Sequence, residues 1–463
     1  MRRYAVAVPA RRLFAFLAAA LVVAACSPAG YGGYGDSGEA PGGEGTVDDY
    51  GPGAFSQPAS NLADDDVALF RIGDSFFTEP WEPAGPVASE RDGLGPTYLA
   101  VSCAACHPAD GRSSAPSGGS VLGAIVRFVD DASMATSLGA YHTQIQTEAV
   151  PGATPEASIA VTWSEVDGVY GDGTPFILRR PEVMVSDAAF GPLGASVATG
   201  VRLGPPLIGL GLLEAIPAED IIARADPDDQ DGDGISGVAS FVDSPSLGPG
   251  SLGRFGWKAN VASVADQTAI AYLLDLGITS PLLPTENCPT VQTGCAGLPS
   301  GGAPEISEER FSAVVAYAQT LAVPGRPSAG DTTVQQGGVL FEDIGCGSCH
   351  VARWTTGDHA IEALSRQAII PYTDLLLHDM GPELGDGRSD GVAGPTEWRT
   401  APLWGLGLTR TVNPEAGFLH DGRARSIEEA VLWHGGEALG AREAFVALSA
   451  ADRQRVLVFL KSL

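Results

Sequence analysis

The chain is poor in basic residues, in cysteine and in methionine. It has 27 Lys and Arg residues against 56 Asp and Glu residues, which gives a formal net charge of −29 over 463 residues. This balance excludes binding to nucleic acid or to anionic lipid by charge. Beyond the N-terminal segment, no apolar run is long enough to span a membrane. The 60 Gly and 34 Pro residues predict many loops and few long helices.

Four of the seven cysteines lie in two copies of the motif C-x-x-C-H, which are Cys103-Ala-Ala-Cys106-His107 and Cys346-Gly-Ser-Cys349-His350. The two thiols of this motif form thioether bonds to the vinyl groups of a haem, and the histidine ligates the iron. A zinc site built from paired C-x-x-C knuckles and a dithiol redox motif are the alternatives, but neither requires the histidine. The sequence therefore predicts two covalently bound c-type haems, with His107 and His350 as iron ligands.

The N-terminus predicts export. Arginines precede the apolar stretch from Leu13 to Val23, and small residues then lead to Cys26. We interpret residues 1–26 as a lipoprotein signal peptide with Cys26 as the lipidated residue, and the alternative is an ordinary signal peptide cut after Ala25. Residues 27–60 are rich in Gly, Pro, Ser and Asp, which predicts a flexible linker. The expected location is the bacterial cell envelope, as a periplasmic or outer-membrane lipoprotein.

Two cysteines then remain. Cys288 and Cys295 lie in a segment with Pro and Gly, and in an oxidising compartment they can form one local disulfide. Two unpaired thiols in a loop are the alternative.

Helical patterns flank both haem motifs. Apolar residues at helical spacing predict helices over 65–77, 307–321 and 333–344, and Ser449 with Asp452 forms a capping box before a last helix. Pro324 to Pro327 breaks the chain, so we place a domain boundary near residue 326. β-branched runs at 159–162 and 176–185 predict a small hairpin. The predicted fold is mainly α, with two cytochrome c-type domains, 61–326 and 327–463, and a minor β insertion in the first.

Longer phrases make the chain similar to a known family. It resembles the bacterial dihaem oxidoreductases, some of them labelled thiol oxidoreductases, which are related to dihaem cytochrome c peroxidases and to the methylamine-utilisation dihaem enzyme. The phrases that carry the resemblance are 92–96 (DGLGP), 205–214 (PPLIGLGLLE), 253–258 (GRFGWK), 372–381 (YTDLLLHDMG) and 418–423 (FLHDGR). The resemblance implies that one haem reacts with peroxide while the other relays electrons to it.

The resemblance also implies ligands for the C-terminal haem. Related peroxidases place a methionine on the helix after the His-Asp-Gly phrase, where this chain has His434. A bis-histidine haem of lower potential is therefore expected. A helix-end surface histidine is the alternative, and Met380 is the rival ligand or else a core-filling side chain.

At the N-terminal haem, peroxide chemistry requires an acid/base near an open iron position. Glu214, in a Leu-rich setting that would raise its pKa, is the candidate, and Arg202 is the candidate for stabilising negative charge. A helix cap for Glu214 and a haem-propionate partner for Arg202 are the alternatives. His142 is a candidate distal ligand or else a loop histidine. Trp257 is the candidate for electron transfer between the haems, or else a core residue.

Residues 226–234 form a dense acidic turn. Asp229, Asp231 and Asp233 match the first three ligand positions of a calcium loop, whereas Ser240 replaces the bidentate Glu. We expect a bound Ca²⁺, with a solvated acidic turn as the alternative.

Together these patterns favour a dihaem peroxidase that reduces hydrogen peroxide, or acts on a small oxidisable substrate, with electrons from a small donor protein such as a cytochrome or cupredoxin. A non-enzymatic dihaem electron carrier is the main alternative. A haem-free thiol or metal-knuckle protein is the third.

Overall fold

Two helix pairs organise the chain, one beside each C-x-x-C-H motif. The computed structural model describes residues 40–86, 89–117, 121, 123–128, 140–193, 199–295 and 297–463. In the N-terminal pair, α1 (Asp64–Thr78) packs against α6 (Glu308–Thr320). In the C-terminal pair, α7 (Thr332–Asp343) packs against α11 (Ala450–Ser462). These are the four helices that the sequence predicts around the two motifs.

Capping side chains fix where these helices begin. The Ser307 hydroxyl accepts from the backbone N–H of Arg310 at the start of α6. The Asp331 carboxylate accepts from two N–H groups at the start of α7, so the cap lies two residues before residue 333, where the sequence predicted the start of this helix. The Ser449 hydroxyl accepts from the Asp452 N–H at the start of α11, as the capping box predicts.

A glycine lies at the crossing point of each helix pair. A Cβ added at Gly73 of α1 would lie 2.1 Å from the carbonyl oxygen of Ala313 in α6. A Cβ added at Gly337 of α7 would lie 2.0 Å from the carbonyl oxygen of Arg455 in α11. Because backbone cannot swing aside as a side chain can, only glycine allows the two helices of each pair to approach this closely.

The other helices are short. They are α2 (Cys103–Cys106), α3 (Leu210–Glu214), α4 (Ala218–Ile222), α5 (Val264–Ala271), α8 (Thr409–Val412), α9 (Ile427–Leu432) and α10 (Leu439–Ala447). A π-helical turn, Tyr272–Leu276, continues α5.

The strands pair antiparallel in small two-stranded sheets. The pairs are β1 (Thr97–Tyr98) with β3 (Glu148–Ala149), β2 (Ala124–Phe128) with β6 (Thr199–Leu203), β4 (Ser158–Val169) with β5 (Pro175–Ser186), β7 (Phe241–Ser244) with β8 (Gly248–Leu252), β9 (Trp354–Thr355) with β10 (Ala368–Ile369), and β11 (Leu377–Asp379) with β12 (Glu397–Arg399).

The prediction of a mainly α fold is wrong. Helices account for only 30% of the residues and strands for 18%, in many small sheets. The physical reason lies in the long segments between the two helices of each pair, where frequent Gly and Pro residues interrupt helices and favour turns, bulges and short strands. The expected hairpin is present, but its strands are 12 residues each, longer than the β-branched runs suggested.

The predicted boundary near residue 326 separates the helix pairs but not the cores. Trp354, Leu364 and Trp404, which follow it, are buried in the core that surrounds α1 and α6. Tyr170, at the end of the β4–β5 hairpin, is buried in the core around α7 and α11. Its hydroxyl donates to Glu428 over 2.7 Å. The hairpin therefore packs against the core around α7 and α11 and stabilises the contact between the first and second halves of the chain.

The predicted signal peptide with Cys26, and residues 27–39 of the predicted linker, lie outside the described residues. Residues 40–60 do not form a free tether, because Phe55 and Ala54 are buried in the N-terminal core. An apolar ring gains about 2 kcal/mol when it is buried in this way, which outweighs the flexibility expected from the composition. None of the helices in the described part of the chain has the length and apolar character needed to cross a membrane.

Candidate haem sites

Each C-x-x-C-H motif lines its own cavity. The N-terminal cavity, of about 450 Å³, contains Cys103, Cys106 and His107 in its wall. The C-terminal cavity, of about 430 Å³, is lined by the matching residues of the second motif. Both volumes lie within the roughly 300–1,000 Å³ typical of cofactor sites. A paired zinc knuckle would require all four thiols at one point, and the structure places them in two cavities.

Both histidines are oriented to ligate iron. The Nδ1 of His107 lies 2.9 Å from the carbonyl oxygen of Pro205, and the Nδ1 of His350 lies 2.9 Å from that of Tyr372. A carbonyl oxygen only accepts, so Nδ1 carries the proton and Nε2 keeps its lone pair for the metal. Burial lowers the pKa of both imidazoles to about 4, which keeps them neutral.

Gly204 packs directly against the imidazole ring of His107. A Cβ at Gly204 would lie 2.7 Å from Cε1 of His107, so only glycine leaves room for the ring in this position. The next residue is Pro205, whose carbonyl orients the same ring. The Pro-Pro-Leu phrase singled out in the sequence therefore forms the histidine side of the N-terminal cavity.

The thiols do not have the character of a redox dithiol. Burial raises the pKa of Cys106 and of Cys346 to about 12, and raises that of Cys103 further. A catalytic thiol requires the opposite shift, because the thiolate is its reactive form. The residues present fit thioether bonds to haem, in which no thiolate persists.

The two cavities differ in the number of further side chains that could ligate iron. Three candidate ligands besides His350 line the C-terminal cavity, namely Met380, His420 and His434. His434 donates from Nδ1 to the carbonyl of Ala430 over 2.8 Å, which leaves Nε2 available as a ligand atom. Both histidines have pKa values lowered by burial. Among the described residues that line the N-terminal cavity, His107 is the only histidine and there is no methionine.

His378 also lines the C-terminal cavity but is committed elsewhere. Its two ring nitrogens lie 2.8 Å from carboxylate oxygens of Asp374 and Glu437. These bonds, with a contact to the sulfur of Cys349, raise its pKa to about 12 despite burial, so the ring is a cation rather than an iron ligand.

Glu214 does not lie where the sequence suggested. It is not among the residues that line the N-terminal cavity. Its carboxylate accepts from the backbone N–H of Val264 at the start of α5 and from the side-chain amide of Gln319, over 2.8 and 2.5 Å. Leu210 and Leu213 of α3 do line the cavity, but the Glu214 side chain does not, and it acts instead as a helix cap.

Arg202 does line the N-terminal cavity, from β6. Its guanidinium donates to Asp386 over 2.9 and 2.6 Å and also to Asp390. Two carboxylates therefore compensate its charge, and its role in stabilising negative charge on a substrate stays a prediction.

His142 lies away from both cavities. Its Nδ1 lies 2.6 Å from a carboxylate oxygen of Glu156, and its Nε2 lies 2.5 Å from the carbonyl oxygen of Asn287. Asn287 immediately precedes Cys288, which forms a disulfide with Cys295. His142 is thus a buried side chain that holds the disulfide loop, not an exposed loop residue and not a distal ligand.

No motif in the sequence points to Asp275, which the structure places in the N-terminal cavity. It lies on the π-helical turn after α5, a geometry that often occurs at functional sites. One carboxylate oxygen accepts from the amide of Gln144 over 2.7 Å. Burial raises the pKa of Asp275 to about 6. Nearby Arg127, also in the cavity wall, has a buried Nε that has no hydrogen-bond partner among the described residues.

Trp257 lies between the two sites and lines both cavities. Its indole N–H donates to the carbonyl of Leu203 over 2.7 Å, which fixes the ring. His420 packs edge-on to it with ring centroids 6.4 Å apart, and stacks on Trp398 at 3.8 Å. An aromatic path therefore connects the two cavities.

The acidic turn gathers a slightly different set of carboxylates than the sequence indicated. Oxygen atoms of Asp226, Asp229 and Asp231 lie within 4.8 Å of one another. Asp233 lies outside this group, and like the other three it accepts from a nearby backbone N–H, that of Ile235 over 2.8 Å. Asp226 is thus a further candidate ligand, and the role of Asp229, Asp231 and Asp233 in binding Ca²⁺ stays a prediction.

Comparison with known proteins agrees with this geometry. No curated protein matches the chain. The family model described as "Di-haem oxidoreductase, putative peroxidase" matches residues 34–162 and 165–463, which is nearly all of the sequence after the predicted signal peptide. The chain therefore belongs to the di-haem oxidoreductase family.

Proposed function

We propose that the protein reduces hydrogen peroxide at the N-terminal haem with electrons that arrive through the C-terminal haem. The proposal depends on one observation, which is that the two cavities differ in the number of side chains that could ligate iron. The C-terminal cavity offers several second ligands for a six-coordinate electron-transfer haem, whereas the described wall of the N-terminal cavity offers only His107. His107 would hold a haem iron there, and with no second protein ligand among the described lining residues that iron would be free to bind peroxide.

A haem bound in this cavity would supply the iron that binds peroxide and would receive the two electrons that the reaction needs. The overall change is H₂O₂ + 2e⁻ + 2H⁺ → 2H₂O, in which solvent supplies the two protons consumed, and one of the peroxide's own protons must also move between its two oxygens. Asp275 is the group suited to this, because burial brings its pKa near 6 and one carboxylate oxygen is held by Gln144. It takes a proton from one peroxide oxygen and returns it to the other, which leaves as water.

Arg127 supports the same step. Its cationic side chain lies close enough to Asp275 to favour the ionised carboxylate, and its buried Nε lacks a partner. A donor of this kind stabilises negative charge that develops on the leaving oxygen. Arg127 fits the role of stabilising negative charge better than Arg202, because the Arg202 guanidinium is already paired with two aspartates.

Trp257 is proposed to carry electrons between the haems, since it lines both cavities and is held rigidly. The electron source is proposed to be a small donor protein, a cytochrome or cupredoxin. The strongly acidic chain suits a basic partner. The proposed location is the bacterial cell envelope, by way of a lipid on Cys26. The calcium ion, if bound, would stabilise the 226–231 turn.

The test compares Asp275→Asn with Glu214→Gln in holoprotein whose C-terminal haem has been reduced. We expect D275N to lower the rate constant for peroxide reduction about 10²- to 10⁴-fold, the usual contribution of an acid/base group. E214Q removes a charge of the same sign from outside the cavity and should change the rate only a few-fold. In the parent protein the rate should fall as pH drops below about 6, because the base becomes protonated, and D275N should lack this dependence.

Equal rates in D275N and the parent, or a larger loss in E214Q, would reject Asp275 as the base. A holoprotein that ignores peroxide in every redox state would reject peroxide reduction altogether and leave an electron carrier.

A further inference from the structure

Two buried arginines lie between the haem cavities. Arg112 follows the first C-x-x-C-H motif, and Arg399 ends β12. Each lines both cavities. Each is only 8% exposed.

Their hydrogen bonds go to neutral groups. Arg112 donates to the carbonyl of Gly417 over 2.9 Å and to that of Leu419. Arg399 donates to the carbonyls of Gly256 and Thr400, each over 3.0 Å. Within the described ranges, neither guanidinium has a carboxylate oxygen within 4.0 Å. Other buried arginines near the cavities, such as Arg202, have such partners.

The nearest carboxylates are already engaged. Asp421 attracts Arg112 from a distance, but it is bonded to Arg423 over 2.7 Å. Asp374 attracts Arg399, but it is bonded to His378 over 2.8 Å. Burial consequently lowers the pKa of both arginines to about 10. Two buried cations without contacting counter-charges are costly, so an anionic group is needed beside them.

We propose that Arg112 and Arg399 form a shared anion site for the propionate carboxylates of the two haems. A haem bonded to cysteines through its vinyl groups has two propionate carboxylates at its opposite edge. In the holoprotein these carboxylates would be the anions next to Arg112 and Arg399. Guanidinium groups suit them because their planar fork matches a carboxylate. The proposal rests on the dihaem assignment and does not depend on peroxide reduction.

The two arginines should also influence electron transfer between the haems. Because each arginine lines both cavities, each cation acts on both haems, and positive charge favours the reduced iron, which carries one charge less. Arg112 also lies over Trp257, with its guanidinium carbon 5.3 Å from the ring centroid. The backbone N–H of Arg399 donates to the carbonyl of Trp257 over 2.9 Å. The same pair therefore couples the two haem sites and the aromatic ring between them.

The experiment is a potentiometric titration of the holoprotein, with the two haems distinguished by EPR. We expect Arg112→Gln to lower the equilibrium constant for reduction of each haem about tenfold, which is a 59 mV lower potential for a one-electron couple. Arg399→Gln should do the same. Arg112→Lys keeps the charge and should restore most of the loss at both haems.

Arg410→Gln is the matched control. Arg410 is exposed, donates to the carbonyl of Ala416 on the same segment that Arg112 contacts, and is absent from the lining of both cavities. It should leave both potentials unchanged. If R112Q yields no holoprotein, R399Q and R112K provide the same comparison.

A shift confined to one haem would overturn the shared site. Shifts no larger than those of R410Q would overturn any propionate contact. A third result would also contradict the proposal. If inorganic phosphate shifts the reduction potentials of the parent protein but not those of R112Q, an anion from solution occupies the site instead of the propionates. If the parent protein does not reduce peroxide but the arginine variants still shift both haem potentials, only the proposed function is rejected.

Discussion

Gly337 should tolerate no side chain, although it lies in the middle of a helix. A Cβ there would lie 2.0 Å from the carbonyl oxygen of Arg455, whereas ordinary contact begins at about 3.4 Å. The helices α7 and α11 would therefore have to separate by about 1.4 Å. Overpacking of this kind costs about 1–3 kcal/mol, and the blocking group is backbone, so we expect the upper end. Alanine's better helix propensity returns up to about 1 kcal/mol, which leaves a net loss of about 2 kcal/mol.

Urea unfolding of Gly337→Ala, followed by Soret absorbance and far-UV circular dichroism, measures this loss. With a slope of about 2 kcal/mol/M, the midpoint of the C-terminal transition should fall by about 1 M. Gly330→Ala is the control, since Gly330 lies just before the same helix and nothing lies within 4 Å of its added Cβ. It should be neutral or stabilising by a few tenths of a kcal/mol. Equal midpoints for the two variants would refute the close crossing.

Three further predictions concern the site. His434→Ala should abolish the low-spin bis-histidine EPR signal of the C-terminal haem, whereas Met380→Leu should leave that signal intact; the opposite result would make Met380 the ligand. Trp257→Phe should slow electron transfer between the haems at least tenfold in flash-photolysis measurements without changing either potential. Trp163→Phe should leave the rate unchanged, because Trp163 lies on β4 and outside the lining of both cavities. Excess Ca²⁺ should raise the melting temperature of the parent protein but not that of Asp229→Asn, with about 2.7 kcal/mol of stabilisation at 100 times the dissociation constant; equal responses would exclude this site.

The elements nearest the haems were predictable because their signals are local. The capping box at Ser449 and the apolar spacing before each motif depend on residues within a few turns. The hairpin was also readable, since Asp172 and Gly173 mark its turn. The mainly α fold class was predicted wrongly, because that prediction assumed that the segments between the two helices of each pair would also be helical.

Part of the site could not be predicted for physical reasons. Glu214 has an apolar context in the sequence, but what decides its role is the distant N–H that it caps, at Val264. Asp275 is placed by a π-helical turn, and no local pattern in the sequence marks that turn. The isolation of Arg112 and Arg399 from carboxylates is a property of contacts between segments far apart in the chain, and only the fold reveals it.

The central claim is that two haems act together on one peroxide. The most direct test is a titration of the fully reduced holoprotein with hydrogen peroxide under argon, with the Soret and α bands recorded after each addition. Each reduced haem donates one electron and each peroxide takes two, so we predict that one equivalent oxidises both haems, in a reaction that Asp275→Asn slows without changing its endpoint. Two haems that stay reduced after one equivalent, or that are oxidised equally fast in the parent protein and in D275N, would contradict the account.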